Sequence, residues 1–182
     1  MPRLFTGIEV PQSVSMPLSF MQSGLPGARW IEPSDFHITL SFIGDISWSE
    51  AREVADMLGR LEKPTFDLRV SGLDVFTPKQ PSSIFARVVP EEKLAVLQAS
   101  HDSILRRLGL PRDKRSFTPH VTLARVKACR PKDVGQWLVR NGGFMSAPFP
   151  VSRFVLYSAR DSVGGGPYVP EETFDLAQPI AA

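Results

Sequence analysis

Alternation of apolar and polar positions divides the chain into short strands and amphipathic helices. Leu4-Phe5-Thr6-Gly7-Ile8-Glu9-Val10 reads as a strand closed by Pro11. Apolar residues at 14, 18, 21 and 25 carry helical spacing over 12–25, with Pro17 inside to kink or break the helix. Trp30-Ile31 reads as a short strand before the turn Glu32-Pro33-Ser34, and Phe36 to Ile43 as a buried strand. Ser47-Trp48-Ser49-Glu50 spells a capping box, behind which Ala51, Val54, Ala55, Leu58 and Leu61 share one helical face. Strands follow over 65–76 and 82–89. A second amphipathic helix covers 91–108, with Leu94, Leu97, Ile104 and Leu108 on one stripe and Gly109 placed to end it. Phe117 to Val126 is a second buried strand, and Pro131 opens a helix through Arg140. Strands at 149–160 and 167–176 flank a hairpin turn at Gly164-Gly165-Gly166.

This order of strands and helices predicts an α+β fold rather than a doubly wound parallel one. A length of 182 residues suffices to bury a core, and an apolar fraction of 42% argues against disorder. Lys plus Arg number 21 against 19 Asp plus Glu, so any nucleic-acid contact must be local rather than a basic coat. The single Cys129 removes disulfide frameworks and cysteine-rich zinc sites. The N-terminus lacks a signal-peptide core, and no apolar run is long enough to span a membrane, so a cytoplasmic location is expected.

Two of the three histidines sit in the same pattern. Asp35-Phe36-His37-Ile38-Thr39-Leu40-Ser41-Phe42 resembles Thr118-Pro119-His120-Val121-Thr122-Leu123-Ala124-Arg125, each before a helix. With 7 Thr among 182 residues, such a coincidence has a probability on the order of one in a thousand. On a strand, His37 and Thr39 point one way while Ile38 and Leu40 point the other, and His120 and Thr122 behave likewise. Two imidazoles and two hydroxyls brought together suit displacement at phosphorus. One imidazole accepts the nucleophile's proton, the other protonates the leaving oxygen, and the hydroxyls donate to non-bridging oxygens.

Together with Arg3-Leu4-Phe5, Ile8-Glu9-Val10-Pro11 and Arg29-Trp30, these segments make the chain similar to the RNA 2′,3′-cyclic phosphodiesterase family. That family belongs to the 2H phosphoesterase superfamily (LigT-like, historically called 2′-5′ RNA ligase). Weaker echoes are Phe154-Val155-Leu156-Tyr157-Ser158 and Gly166-Pro167-Tyr168 with Phe174. The resemblance implies two pseudo-symmetric lobes, each an antiparallel sheet with helices, around a central cleft, with residues 1–182 forming one domain of two intertwined lobes. It implies metal-independent opening of 2′,3′-cyclic phosphate ends to 2′-phosphomonoesters, with no cofactor. His37 and His120 are then the catalytic pair, and Thr39 and Thr122 the phosphate-binding hydroxyls. His37 is taken as general acid and His120 as base, an order the sequence alone does not fix. Expected partners are RNA ends or cyclic nucleotides, with no membrane and no metal, and the chain is expected to act as a monomer.

Phe42 aligns with an aromatic suited to base stacking, and Arg125 with a family arginine near the substrate. Each lies five residues after its histidine, an odd separation that on a regular strand puts it on the opposite face. Either the strands bend or end there, or both residues sit behind the site. Alternative functions are 2′-5′ ligation, another cyclic phosphate as substrate, and a non-catalytic RNA-end binder. His101 reads as a core-facing histidine of its helix stripe, Thr118 as structural and Trp30 as a core anchor. Arg112-Asp113-Lys114-Arg115 reads equally as a phosphate guide or a solvated loop.

Overall fold

The computed structural model describes residues 2–159 and 166–178. In chain order the elements are β1 (Arg3–Glu9), α1 (Gln12–Ser19), β2 (Arg29–Trp30), β3 (His37–Asp45), α2 (Trp48–Leu58), β4 (Phe66–Leu68), β5 (Val70–Phe76) and β6 (Ser83–Val88). There follow α3 (Glu92–Arg107), β7 (His120–Arg125), α4 (Pro131–Asn141), β8 (Phe149–Val151), β9 (Arg153–Ser158) and β10 (Val169–Asp175). The fold is α+β, as the sequence predicts.

Several boundaries differ from the expected ones for local reasons. The helix expected over 12–25 passes through Pro17 and stops at Ser19, after which Met21 and Gln22 make only turn-type bonds to Leu18 and Ser19. The strand expected from Phe117 starts at His120, since Pro119 offers the ladder only its carbonyl, which accepts from Val88 N–H. The runs at 65–76 and 149–160 each split into two strands that join different sheets. The capping box is formed: Glu50 N–H donates to Ser47 Oγ, and Ser47 N–H donates to the Glu50 carboxylate. Gly109 follows α3 at φ 68°, a conformation that favours glycine. The Gly164–Gly165 part of the expected hairpin lies outside the described residues.

Eight strands form one sheet in the order β10-β9-β1-β3-β7-β6-β5, with β2 also on β7, and β4 pairs with β8 in a small second sheet. The arrangement has an internal near-symmetry. β3, α2, β4 and β5 start at 37, 48, 66 and 70, while β7, α4, β8 and β9 start at 120, 131, 149 and 153, a constant offset of 83 residues. Each half gives one strand away: β5 pairs with β6 of the second half, and β9 with β1 of the first. The half-sheets join where β3 and β7 run antiparallel, with Ile38 opposite Val121. Both of these side chains are completely buried on the back of the sheet, in the main core.

Helix α3 lies behind β1 and β3. There His101 Nδ1 shares a 2.8 Å hydrogen bond with Thr6 Oγ1, and Ser41 Oγ donates to Asp102 Oδ1 at 2.9 Å. Behind the other half, Trp137 of α4 packs against Trp30, ring centroids 5.6 Å apart, so Trp30 anchors the back as expected. With the helices on this side, the opposite face of the sheet is left to present the histidines.

Candidate active site

Alternation along β3 and β7 would place Phe42 and Arg125 behind the sheet, but each strand carries a bulge that reverses the parity. Thr6 and Gly7 of β1 pair with Ser41 and Thr39, leaving Leu40 without a partner. Ile84 and Phe85 of β6 pair with Ala124 and Thr122, leaving Leu123 without one. After the extra residue, Phe42 returns to the face of His37, and Arg125 to the face of His120. Phe5 confirms this for Phe42, since its ring touches both His37 (4.9 Å) and Phe42 (5.9 Å). All six residues singled out in the sequence therefore share one face: His37, Thr39 and Phe42 on β3, and His120, Thr122 and Arg125 on β7.

Both imidazoles are held by the same device. His37 Nδ1–H donates to the Asp35 carbonyl at 2.8 Å, and His120 Nδ1–H donates to the Thr118 carbonyl at 2.6 Å. A carbonyl only accepts, so the proton of each neutral ring sits on Nδ1 and Nε2 is left as the basic nitrogen. Thr39 Oγ1 lies 3.0 Å from His37 Nε2 and donates to it while the ring is neutral. The Asp35 and Thr118 carbonyls were not legible as site groups, because a main-chain acceptor two residues upstream leaves no mark in side-chain chemistry. Thr118 contributes through that carbonyl.

The surroundings disfavour charge on either ring. Burial pulls the His37 pKa down to about 4 against the opposing Asp35 carbonyl, and repulsion by a charged His120 ring and by Arg125 lowers it further. Burial also lowers His120, again opposed by its carbonyl bond and reinforced by Arg125 and Arg115. The shielding comes from aromatic rings. Phe5, Tyr157 and Tyr168 surround His37, with Tyr168 edge-on at 4.9 Å. Phe76 and Phe85, stacked on each other at 4.1 Å, stand edge-on to His120. Gly7 lies beneath His37, and an added Cβ there would come 3.1 Å from the Ile38 carbonyl and 3.4 Å from the imidazole.

The two ends of this face differ in chemistry. At the first, the half-exposed Phe42 leans on Phe5. At the symmetry-related end Arg125 stands between Ser83 and Arg29, its register partners on β6 and β2. Arg29 enters the sequence reading only as part of the Arg29-Trp30 resemblance; its place beside Arg125 depends on strand pairing rather than on spacing. The Arg112–Arg115 segment is an exposed loop in which Arg115 pairs with Asp113. Among the described residues, no three His, Cys, Asp or Glu side chains converge to hold a metal ion. No helix there is long and apolar enough to cross a membrane.

Known proteins are similar to the chain in sequence and in shape. The chain is 31% identical over 134 residues to an RNA 2′,3′-cyclic phosphodiesterase of Archaeoglobus fulgidus, covering 71% of this chain and 76% of the relative. An RNA 2′,3′-cyclic phosphodiesterase of Aquifex aeolicus is 29% identical over 153 residues, 81% of each chain. The crystal structure of Escherichia coli LigT complexed with 3′-AMP has the same fold. Its TM-score is 0.79 at 22% identity, over 97% of this chain and 99% of that one. The family profile described as LigT like Phosphoesterase matches residues 8–85 and 88–168, a span that holds both histidines, the bulge residues Leu40 and Leu123, and Tyr157 and Tyr168. The chain therefore belongs to the LigT-like phosphoesterase family.

Proposed function

We propose that this protein opens 2′,3′-cyclic phosphates at the ends of RNA or on nucleotides, leaving a 2′-phosphomonoester, without a metal ion. The observation that carries this reading is the matched pair of imidazoles, each with Nδ1–H committed to a carbonyl and Nε2 left for proton exchange. The names of the relatives from A. fulgidus and A. aeolicus support the same substrate class.

In this mechanism His120 Nε2 takes a proton from water as the water oxygen adds to phosphorus. The bond from phosphorus to the ribose 3′ oxygen breaks, and His37 Nε2–H delivers its proton to that oxygen. The Thr39 and Thr122 hydroxyls donate to the non-bridging oxygens, whose charge grows in the transition state. Arg125 adds positive charge at one end of the face, and Phe42 stacks on the base at the other. Both histidines are kept neutral before substrate arrives, and the bound anion raises their basicity enough to hold one proton between them.

The test is hydrolysis of a 2′,3′-cyclic nucleotide and of a cyclic-phosphate-ended RNA in excess EDTA, with the product isomers resolved. A 2′-phosphate product formed in EDTA, and lost in His37→Ala and His120→Ala, is expected. Exclusive 3′-phosphate overturns the choice of leaving oxygen, and undiminished turnover by either alanine variant overturns the mechanism.

A further inference from the structure

The two histidines are equivalent by position and by hydrogen bond, yet the proposed reaction needs one to donate a proton while the other accepts one. Whatever separates them must lie where the halves differ. The 83-residue offset that relates His37 to His120 also relates Asp35 to Thr118. Both residues give a main-chain carbonyl to the following imidazole, but only Asp35 adds a carboxylate.

That carboxylate is fixed in place. Its Oδ1 accepts from Tyr168 N–H at 3.1 Å, across 133 residues of sequence. Gly166, two residues before Tyr168, passes so close that any side chain there would overlap the Asp35 carboxylate. The bond brings Tyr168 edge-on to the His37 ring at 4.9 Å and to Phe5 at 5.0 Å. One side chain therefore both sets a negative charge beside His37 and fastens part of the wall that dries it.

We propose that Asp35 is a positioning residue that supports the protonated form of His37 in its buried setting, while its clamp on Tyr168 holds that ring in place. The assignment rests on the acid and base roles given above. Of the charges that act on the His37 ring, Asp35 is the favourable one. Glu9, the register partner of His37 on β1, is engaged by Arg153 at 2.7 Å, and the Tyr157 hydroxyl is pushed up by burial and stays neutral. Tyr168 meets the imidazole through its ring. His120 and Arg125 on β7 oppose a proton on His37, while Asp35 favours it. Around His120 the register partner Arg87 is paired with Asp74, and the charges that act on its ring are the cations Arg125 and Arg115.

Asp35→Asn keeps the shape and the acceptor for Tyr168 N–H but removes the charge, whereas Asp35→Ala removes both. The decisive measurement is an NMR titration of the His37 imidazole in the full-length protein with saturating inorganic phosphate, which does not depend on turnover. Asp35→Asn is expected to lower the His37 midpoint by about 0.5 pH unit or more with Tyr168 ring signals unmoved. Asp35→Ala is expected to lower it and move Tyr168 as well. A His37 midpoint in Asp35→Asn equal to that of the parent overturns the proposal. In the kinetic arm, the limb of the kcat profile that reports the acid should fall in pH with the NMR midpoint. Absence of turnover in the parent chain overturns the function proposed above, while the NMR arm still decides the role of Asp35.

Discussion

Leu40 and Leu123 are the same residue in two different strands, each the unpaired member of a bulge lying three positions after a histidine. Because of them, Phe42 and Arg125 face the histidines instead of the core. The two bulges make one end of the face aromatic and the other cationic.

If Phe42 stacks on a nucleobase, its loss should weaken only substrates that carry one. Phe42→Ala is expected to lower kcat/KM for cyclic nucleotides by roughly 5- to 160-fold, matching ~1–3 kcal/mol for stacking on an aromatic ring. A small cyclic phosphate without a base should react with both proteins equally. Equal losses on the two substrates would place Phe42 outside base recognition.

The bulge in β3 is tied down from behind by Ser41, which donates to Asp102 on α3. Its counterpart in β7 is Ala124, fully buried and without a polar side chain. Ser41→Ala should therefore fold, while leaving Asp102 without this donor and the turn toward Phe42 less firmly held. Steady-state kinetics should show KM rising several-fold for cyclic nucleotides, in the direction of Phe42→Ala, with kcat changed less.

The hydroxyls can be separated from the imidazoles by isosteric replacement. Thr39→Val and Thr122→Val are each expected to reduce kcat by about 100- to 1000-fold, the range for removing one donor to a developing charge. Single-turnover rates would show it. A change confined to KM would assign the hydroxyl to ground-state binding.

The low proton affinity of both histidines sets the pH dependence. His37 must be protonated and His120 neutral in the productive form, and in the free protein His37 has a pKa of about 4 while His120 is also lowered. kcat/KM, which reports the free protein, should thus peak on the acid side of the ordinary histidine value. The kcat profile should lie at higher pH, because the bound anion raises both groups. A kcat/KM still climbing above pH ~8 would contradict these roles.

His101 should govern acid stability rather than catalysis. It is 1% exposed with Nε2 unpartnered, and burial lowers its pKa from 6.5 to about 3. Between those values the unfolded chain binds the proton and the folded one does not, so stability is greatest above pH 6.5 and falls on acidification. Urea titrations of Thr6→Val/His101→Leu against the parent should show a flatter pH dependence, the difference reaching on the order of 4 kcal/mol near pH 3. His37 adds a loss of the same sign to both proteins and cancels in the comparison.

The sequence disclosed the four central side chains because a strand writes its faces into alternate positions, and His37-Ile38-Thr39 and His120-Val121-Thr122 obey that rule. It left the facing of Phe42 and Arg125 open because a bulge is a property of two strands together. Leu40 and Leu123 look like ordinary inward residues until β1 and β6 are laid beside them. Asp35 was hidden for a related reason. Its carbonyl bonds locally, but its carboxylate meets a backbone N–H 133 residues away, a closure that only the finished fold brings about.

The strand exchange also shapes how the molecule comes apart. With β5 completing one half-sheet and β9 the other, a break in the chain between Phe76 and Ser83 gives two fragments that each lack a strand held by the other. Neither fragment has a finished sheet edge of its own, so they should assemble with each other or not at all, and the intact chain should melt in one cooperative step. What resembles a pair of linked lobes is energetically a dimer that cannot dissociate.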